Sequence, residues 1–166
     1  PSNFKEAVTS QHWNVRRNSM NLENDGLVET GTFEEETTLE GNKPIDSMWS
    51  YKWKQDPDGM VIGAKATSVA RGDEQIHGQN YDDTFSPTPV MSTVKTGVAV
   101  ANELELDMYH FDVAQAFVQS ELKDGIHLRL TEGWDTAAGK VVKLNRSIYG
   151  LKQASRTWNA FLTKAL

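Results

Sequence analysis

The apolar residues of this 166-residue chain fall into several distinct rhythms. Phe4, Ala7 and Val8 share one face of a short helix that Ser2 can cap. Trp13, Met20 and Leu27 continue on a seven-residue spacing with polar residues between them, which predicts further helix. Gly26 inside that helix costs about 1 kcal/mol relative to alanine. Gly31 and Glu34-Glu35-Glu36 then read as loop. In SMWSYKWKQDPDGMVIGAKATSVARG the period changes to two: Trp49, Tyr51 and Trp53 alternate with Ser50, Lys52 and Lys54. Gln55-Asp56-Pro57-Asp58-Gly59 supplies the turn, and Met60 to Val69 the returning strand, giving a β-hairpin with a basic, aromatic face.

Gly72, Gly78, Asn80, Pro87 and Pro89 punctuate a loop. Val94, Val98, Ala101 and Leu104 predict a helix over 92–104, Leu106 to Val113 a strand, and Ala114 to Leu122 a short helix. Ile126 to Leu130 and Val141 to Leu144 predict two strands able to pair, and Ala154 to Leu166 a closing helix. Helix, hairpin, loop, helix, strand, helix, hairpin, helix is an α+β order.

Composition changes this picture by exclusion. A hydrophobic fraction of 38% and a charged fraction of 24% suit an ordered domain, or part of a larger one. No apolar run approaches membrane-spanning length, and no secretion signal opens the chain. The expectation is an intracellular chain, cytoplasmic or nuclear, that is not secreted and has no membrane partner. Cysteine is absent, and His12, His77, His110 and His127 are dispersed, which argues against thiolate or zinc chemistry.

Charge matters more through its distribution than through its total of −6. Residues 1–40 carry a net −5, whereas Lys140, Lys143, Arg146, Lys152, Arg156 and Lys164 follow Asp135 with no acid among them. Such asymmetry admits a local polyanion-binding face, or simply a solvated basic helix face.

Three features could carry chemistry. Asp112 closes an apolar run in MYHFDVAQAFVQSEL, where an ionised carboxylate needs a partner. It could hold a divalent metal together with a neighbouring backbone carbonyl, or cap the helix that follows. The basic hairpin, with Lys52, Lys54, Lys65 and Arg71, could clamp phosphate oxygens or face water. In LNRSIYGLKQASRTW, Tyr149-Gly150 could stack on a base while Lys152 and Arg156 reach phosphates, or the stretch could be a hydrophobic turn with solvated bases.

Taken in order, MWSYKWKQDPDGMV, AKATSVARGDEQIHGQNYDDTFSPTPVMSTVK, FDVAQAFVQSEL and VVKLNRSIYGLKQASRTW make the chain resemble the N-terminal part of the reverse transcriptase of copia-type retrotransposons. Trp13, Met20, Glu23 and Leu27 fit that family's leading helix, so the resemblance covers nearly all of the sequence. It implies the fingers and partial palm of a right-hand polymerase. Residues 1–40 would form the leading helix and acidic loop, 41–104 a fingers-like part, and 105–166 the start of the palm.

By the same resemblance Asp112 matches the first catalytic aspartate and, with the Val113 carbonyl, a magnesium ligand. Phe117 matches the aromatic that screens against a ribose 2′-hydroxyl. Lys65 and Arg71 fall where the incoming triphosphate is met, and Tyr149, Gly150, Lys152 and Arg156 where template and primer approach. The implied partners are a primed RNA or DNA template, deoxynucleoside triphosphates and the rest of a Pol polyprotein. The implied reaction is two-metal attack of a primer 3′-hydroxyl on the α-phosphate.

The departures from the family pattern limit the expectation. These 166 residues stop before the family's Tyr-x-Asp-Asp element, and Tyr81-Asp82-Asp83 lies in a different motif, ahead of Asp112. Thr67-Ser68 stand where the family has Arg-Leu, Ser155 where it has proline, Gln119-Ser120 where it has Asn-Gly, and Asp73 at an apolar position. The expectation is a fragment or decayed copy, inactive alone, that does not stably hold magnesium. The alternatives are a non-catalytic nucleic-acid-binding or interaction module derived from a decayed retroelement, and a pseudogene product without function.

Overall fold

The computed structural model describes residues 1, 3–35, 43–134 and 140–166. Ser2, the expected first cap, lies outside them. Asn3 takes that role for helix α1 (Phe4–Val8): its Oδ1 accepts the Glu6 N–H at 2.9 Å. The helical rhythm is interrupted at residues 9–12, and α2 (Trp13–Glu29) then buries Met20 and Leu27.

Strand β1 (Phe33–Glu35) forms where the acidic stretch predicts loop. It pairs antiparallel with β5 (Val141–Leu144), and two ion pairs join the strands: Glu35 to Lys140 at 3.1 Å and Glu34 to Lys143 at 3.8 Å. Opposite charges across a ladder stabilise it modestly, so part of the acidic N-terminal excess meets part of the basic C-terminal one. Glu36 lies outside the described residues.

The predicted hairpin is present as β2 (Ile45–Gln55) and β3 (Val61–Ala70). Its turn works as the residues demand: Asp56 Oδ1 accepts the Asp58 and Met60 N–H groups, and Gly59 takes a φ of 82°. Strand β4 (His127–Arg129) pairs antiparallel with β5 and parallel with the start of β2, which completes the order β1-β5-β4-β2-β3. Only two residue pairs make the parallel junction, but side chains reinforce it. Ser47 Oγ donates to Arg129 O at 2.8 Å, and Trp49 Nε1 donates to Glu132 O at 2.9 Å.

The core lies between this sheet and the segments over it. Met20 and Leu27 of α2 meet Trp49, Ala66 and Ala70 of the hairpin. Val118, Leu122, Ile126 and Leu128 continue it toward Ile148, Leu151 and Ala154, where α4 (Ala154–Ala165) begins. Trp134 stacks on Trp49 with ring centroids 6.0 Å apart, and Phe33 meets Trp134 edge-on at 5.2 Å. Helices, a hairpin and a mixed five-stranded sheet make the α+β class expected from the sequence.

Two expectations around Asp112 fail. Residues 106–113 form no strand: helix α3 (Met91–Glu103) buries only Ala101, and the chain stays exposed through Asp112. An alternating apolar segment becomes a strand only where a neighbour takes its backbone hydrogen bonds, and among the described residues none lies beside it. The helix predicted over 114–122 shrinks to one 3-10 turn, Ala116–Gln119. Asp112 therefore neither sits buried nor caps a helix; Gln115 occupies the cap position and offers no side-chain cap bond.

Candidate functional site

The residues singled out from the sequence fall into two groups joined through Tyr149-Gly150. The first surrounds the 112–117 segment. Phe117, half-buried, meets the Tyr149 ring edge-on with centroids 4.8 Å apart. The Tyr149 hydroxyl is held above its ordinary pKa by burial first, then by the negative charges of Glu23 and Asp112. Asp112 itself is exposed and accepts no hydrogen bond among the described residues.

Glu23 was not assigned to a site from sequence. Burial raises its pKa, against the opposing effects of the Gln115 amide, the Ser68 N–H and the Lys65 charge. Its Oε1 accepts from Ser68 N and its Oε2 from Gln115 Nε2, both at 3.3 Å. A cleft of about 260 Å³ opens there, lined by Ser19, Glu23, Lys54, Lys65 and Gln115 among others. The available sign was a lone acid on the inward face of α2, three residues after Met20 and four before Leu27.

The second group joins the end of β3 to the turn at 149–153. Ala70 N donates to Tyr149 O at 2.8 Å. The two backbones approach so closely that a Cβ on Gly72 would stand 2.0 Å from Gly150 O. Gln75, Asn80 and Gln153 are all buried. Gln75 Nε2 donates to Gln153 Oε1 at 3.0 Å, and Lys152 N donates to Gln75 Oε1 at 2.8 Å. Gln153 Nε2 donates to Asn80 O at 2.9 Å and to Asp124 Oδ2 at 2.8 Å.

Several basic candidates have partners of their own. Arg71 binds Asp73 at 2.7 Å and Glu74 at 3.0 Å, and the hydrogen bond from Arg71 holds the Asp73 carboxyl below its usual range. Lys152 Nζ donates to Gln75 O and to the Tyr81 hydroxyl, each at 3.3 Å, and lies 4.8 Å from the Tyr81 ring centre. Arg156 pairs with Asp83 at 3.3 Å and lines a separate cleft of about 400 Å³ with Arg146, Lys164 and Asp124. Lys65, by contrast, is exposed beside the Glu23 cleft. Surface pairs of this kind contribute little to stability, so a phosphate can displace a partner at modest cost.

Carboxylate and carbonyl oxygens suit a hard cation such as magnesium. No three acidic or histidine side chains among the described residues are grouped to hold a metal.

A family model described as reverse transcriptase (RNA-dependent DNA polymerase) matches residues 32–166. This chain belongs to the reverse transcriptase family. It is 34% identical over 160 residues to a retrovirus-related Pol polyprotein from transposon TNT 1-94 of Nicotiana tabacum, a match covering 95% of this chain and 12% of that protein. It is 28% identical over 166 residues to the Pol polyprotein from transposon RE1 of Arabidopsis thaliana, covering 95% and 11%. A third relative, the RE2 Pol polyprotein of Arabidopsis thaliana, is 33% identical over 116 residues, or 69% of this chain and 8% of that one. The chain thus spans about a tenth of the length of these relatives. No solved structure matches it. The family read from the motifs is the family found, in a retrotransposon Pol context. No helix among the described residues is long and apolar enough to cross a membrane.

Proposed function

We propose that the chain forms the fingers and early palm of a copia-type reverse transcriptase and engages primer–template and deoxynucleotides there. In this reading residues 1–40 are a leading segment that carries α1, α2 and β1, 41–104 the fingers-like part and 105–166 the start of the palm. The observation that carries it is the Phe117–Tyr149 ring contact next to Gln115, whose amide reaches Glu23 in the cleft that Lys65 also lines, inside a chain of this family.

Each residue then has a task. Lys65 and Arg71 meet triphosphate oxygens, and Arg71 exchanges Asp73 and Glu74 for phosphate. Phe117, braced edge-on by Tyr149, presents a ring where a 2′-hydroxyl would stand. Tyr149 and Gly150 border the nascent pair, and Lys152 and Arg156 offer charge to the template–primer backbone. In the complete enzyme, two-metal chemistry would supply Lewis acidity toward the 3′-hydroxyl and the transferred phosphoryl group. Asp112 and the Val113 carbonyl are the ligands these residues would contribute.

No three acidic or histidine side chains group around a metal position among the described residues, so residues 1–166 alone are expected to extend no primer. The check is a primer-extension assay with magnesium and all four deoxynucleotides. No incorporation is the expected result. Incorporation that disappears in Asp112→Asn would overturn the account of this chain as an incomplete polymerase site.

A further inference from the structure

Gln115 is one of two non-glycine residues among the described ones with positive φ, at φ 49° and ψ 46°. A left-handed backbone costs such a residue about 1 kcal/mol or more unless its surroundings hold it. Gln115 lies between Asp112 and Phe117, and its carbonyl accepts the Val118 N–H at 3.1 Å, which starts the 3-10 turn. Its side chain leaves that turn and crosses to α2, where Nε2 donates to Glu23 Oε2 at 3.3 Å.

The amide also occupies the space above Gly26. A methyl group built on Gly26 would stand 2.7 Å from Gln115 Nε2 and 2.8 Å from Oε1. Gly26 has no positive φ that would call for glycine, and it weakens α2 by about 1 kcal/mol relative to alanine. Seating Gln115 accounts for it. The second Glu23 oxygen accepts the Ser68 N–H of β3, so a single carboxylate spans helix, strand and turn. Both helix residues precede the segment 32–166 matched by the family model.

We propose that Glu23 and Gly26 form a seat for the Gln115 amide, and that this seat fixes the turn carrying Asp112 and Phe117. They are positioning residues: neither touches substrate, and they act through Gln115. The inference rests on reading that turn as the nucleotide-facing one, but its geometry can be tested without nucleotide.

The test uses isotopically labelled chain 1–166 with Gly26→Ala, Glu23→Ala and Glu23→Gln. It follows the amide exchange of Val118 and Ser120, the Phe117–Tyr149 ring contact by nuclear Overhauser effect, and the melting temperature. Gly26→Ala strengthens the helix while evicting the amide. Its melting temperature should therefore hold or rise while Val118 exchange accelerates about tenfold, as local opening permits, and the ring contact weakens. Glu23→Ala should accelerate exchange similarly. Glu23→Gln should restore parental exchange, because two amides can still share a hydrogen bond. Parental exchange and ring contact in Gly26→Ala would overturn the proposal, as would Glu23→Gln behaving like Glu23→Ala. Failure of the chain to bind nucleic acid would count against the proposed function and leave this result standing.

Discussion

Gly150→Ala is expected to destabilise the chain by at least about 3 kcal/mol. Two effects combine. Gly150 has a φ of 91°, where an L side chain is strained by about 1–2 kcal/mol. The added Cβ would also stand 2.1 Å from Ala70 O and 2.7 Å from Val69 Cγ1. Ala70 O is backbone of β3, so relief requires moving a strand rather than rotating a side chain. Gly59→Ala is the matched control, since Gly59 has a φ of 82° with nothing within 4 Å of its would-be Cβ. Urea unfolding of both variants separates strain from collision. Equal losses would mean that the 69–72 and 149–151 backbones are not in close contact.

The second large effect is expected at Gln153. It is buried, its amide donates to Asn80 O and Asp124 Oδ2, and its carbonyl accepts from Gln75. Gln153→Ala leaves Gln75 Nε2 and Asn80 O with only their mutual bond at 3.5 Å, which costs about 1–3 kcal/mol where water cannot replace Gln153. The loss should spread to Lys152, whose backbone N–H is held by the same Gln75 side chain. The midpoint of urea unfolding gives the stability, and exchange of the Lys152 amide reports the local effect. A loss below about 0.5 kcal/mol, the level of an ordinary surface substitution, would show that water already serves these groups.

These two residues also mark what the sequence made legible. Tyr149-Gly150 stood out as a turn with an aromatic edge, and the family motif around it was specific. That Gly150 is pressed against β3 depends on a contact between positions some 80 residues apart, which no local pattern encodes. The hairpin, the helix expected over 92–104 and found at Met91–Glu103, and the closing helix are readable because their periods are strong and local. The acidic stretch was misread for the opposite reason: Glu34 and Glu35 favour loop locally, and β1 forms through its pairing with β5 and Lys140 and Lys143.

The segment around Asp112 shows the same dependence in reverse. Leu106, Met108 and Tyr109 have strand-like residue types, yet the chain there is exposed and unpaired. Asp112 is therefore exposed rather than buried, and its place in the family motif does not depend on burial. Glu23 and Gln115 were the hardest to find, because their roles arise from one contact between a helix and a turn. Gln75 and Gln153 likewise carry no sign of their mutual bond in the residues flanking them.

The most direct measurement is the affinity of residues 1–166 for a fluorescent primer–template at 50 and 200 mM salt, without magnesium. If Lys152 and Arg156 each reach a backbone phosphate, affinity should fall about 12-fold between those concentrations, as expected for about two phosphate contacts. That must happen although the chain carries a net charge of −6. Absent binding at 50 mM, or binding indifferent to salt, would contradict a nucleic-acid-engaging face on this chain.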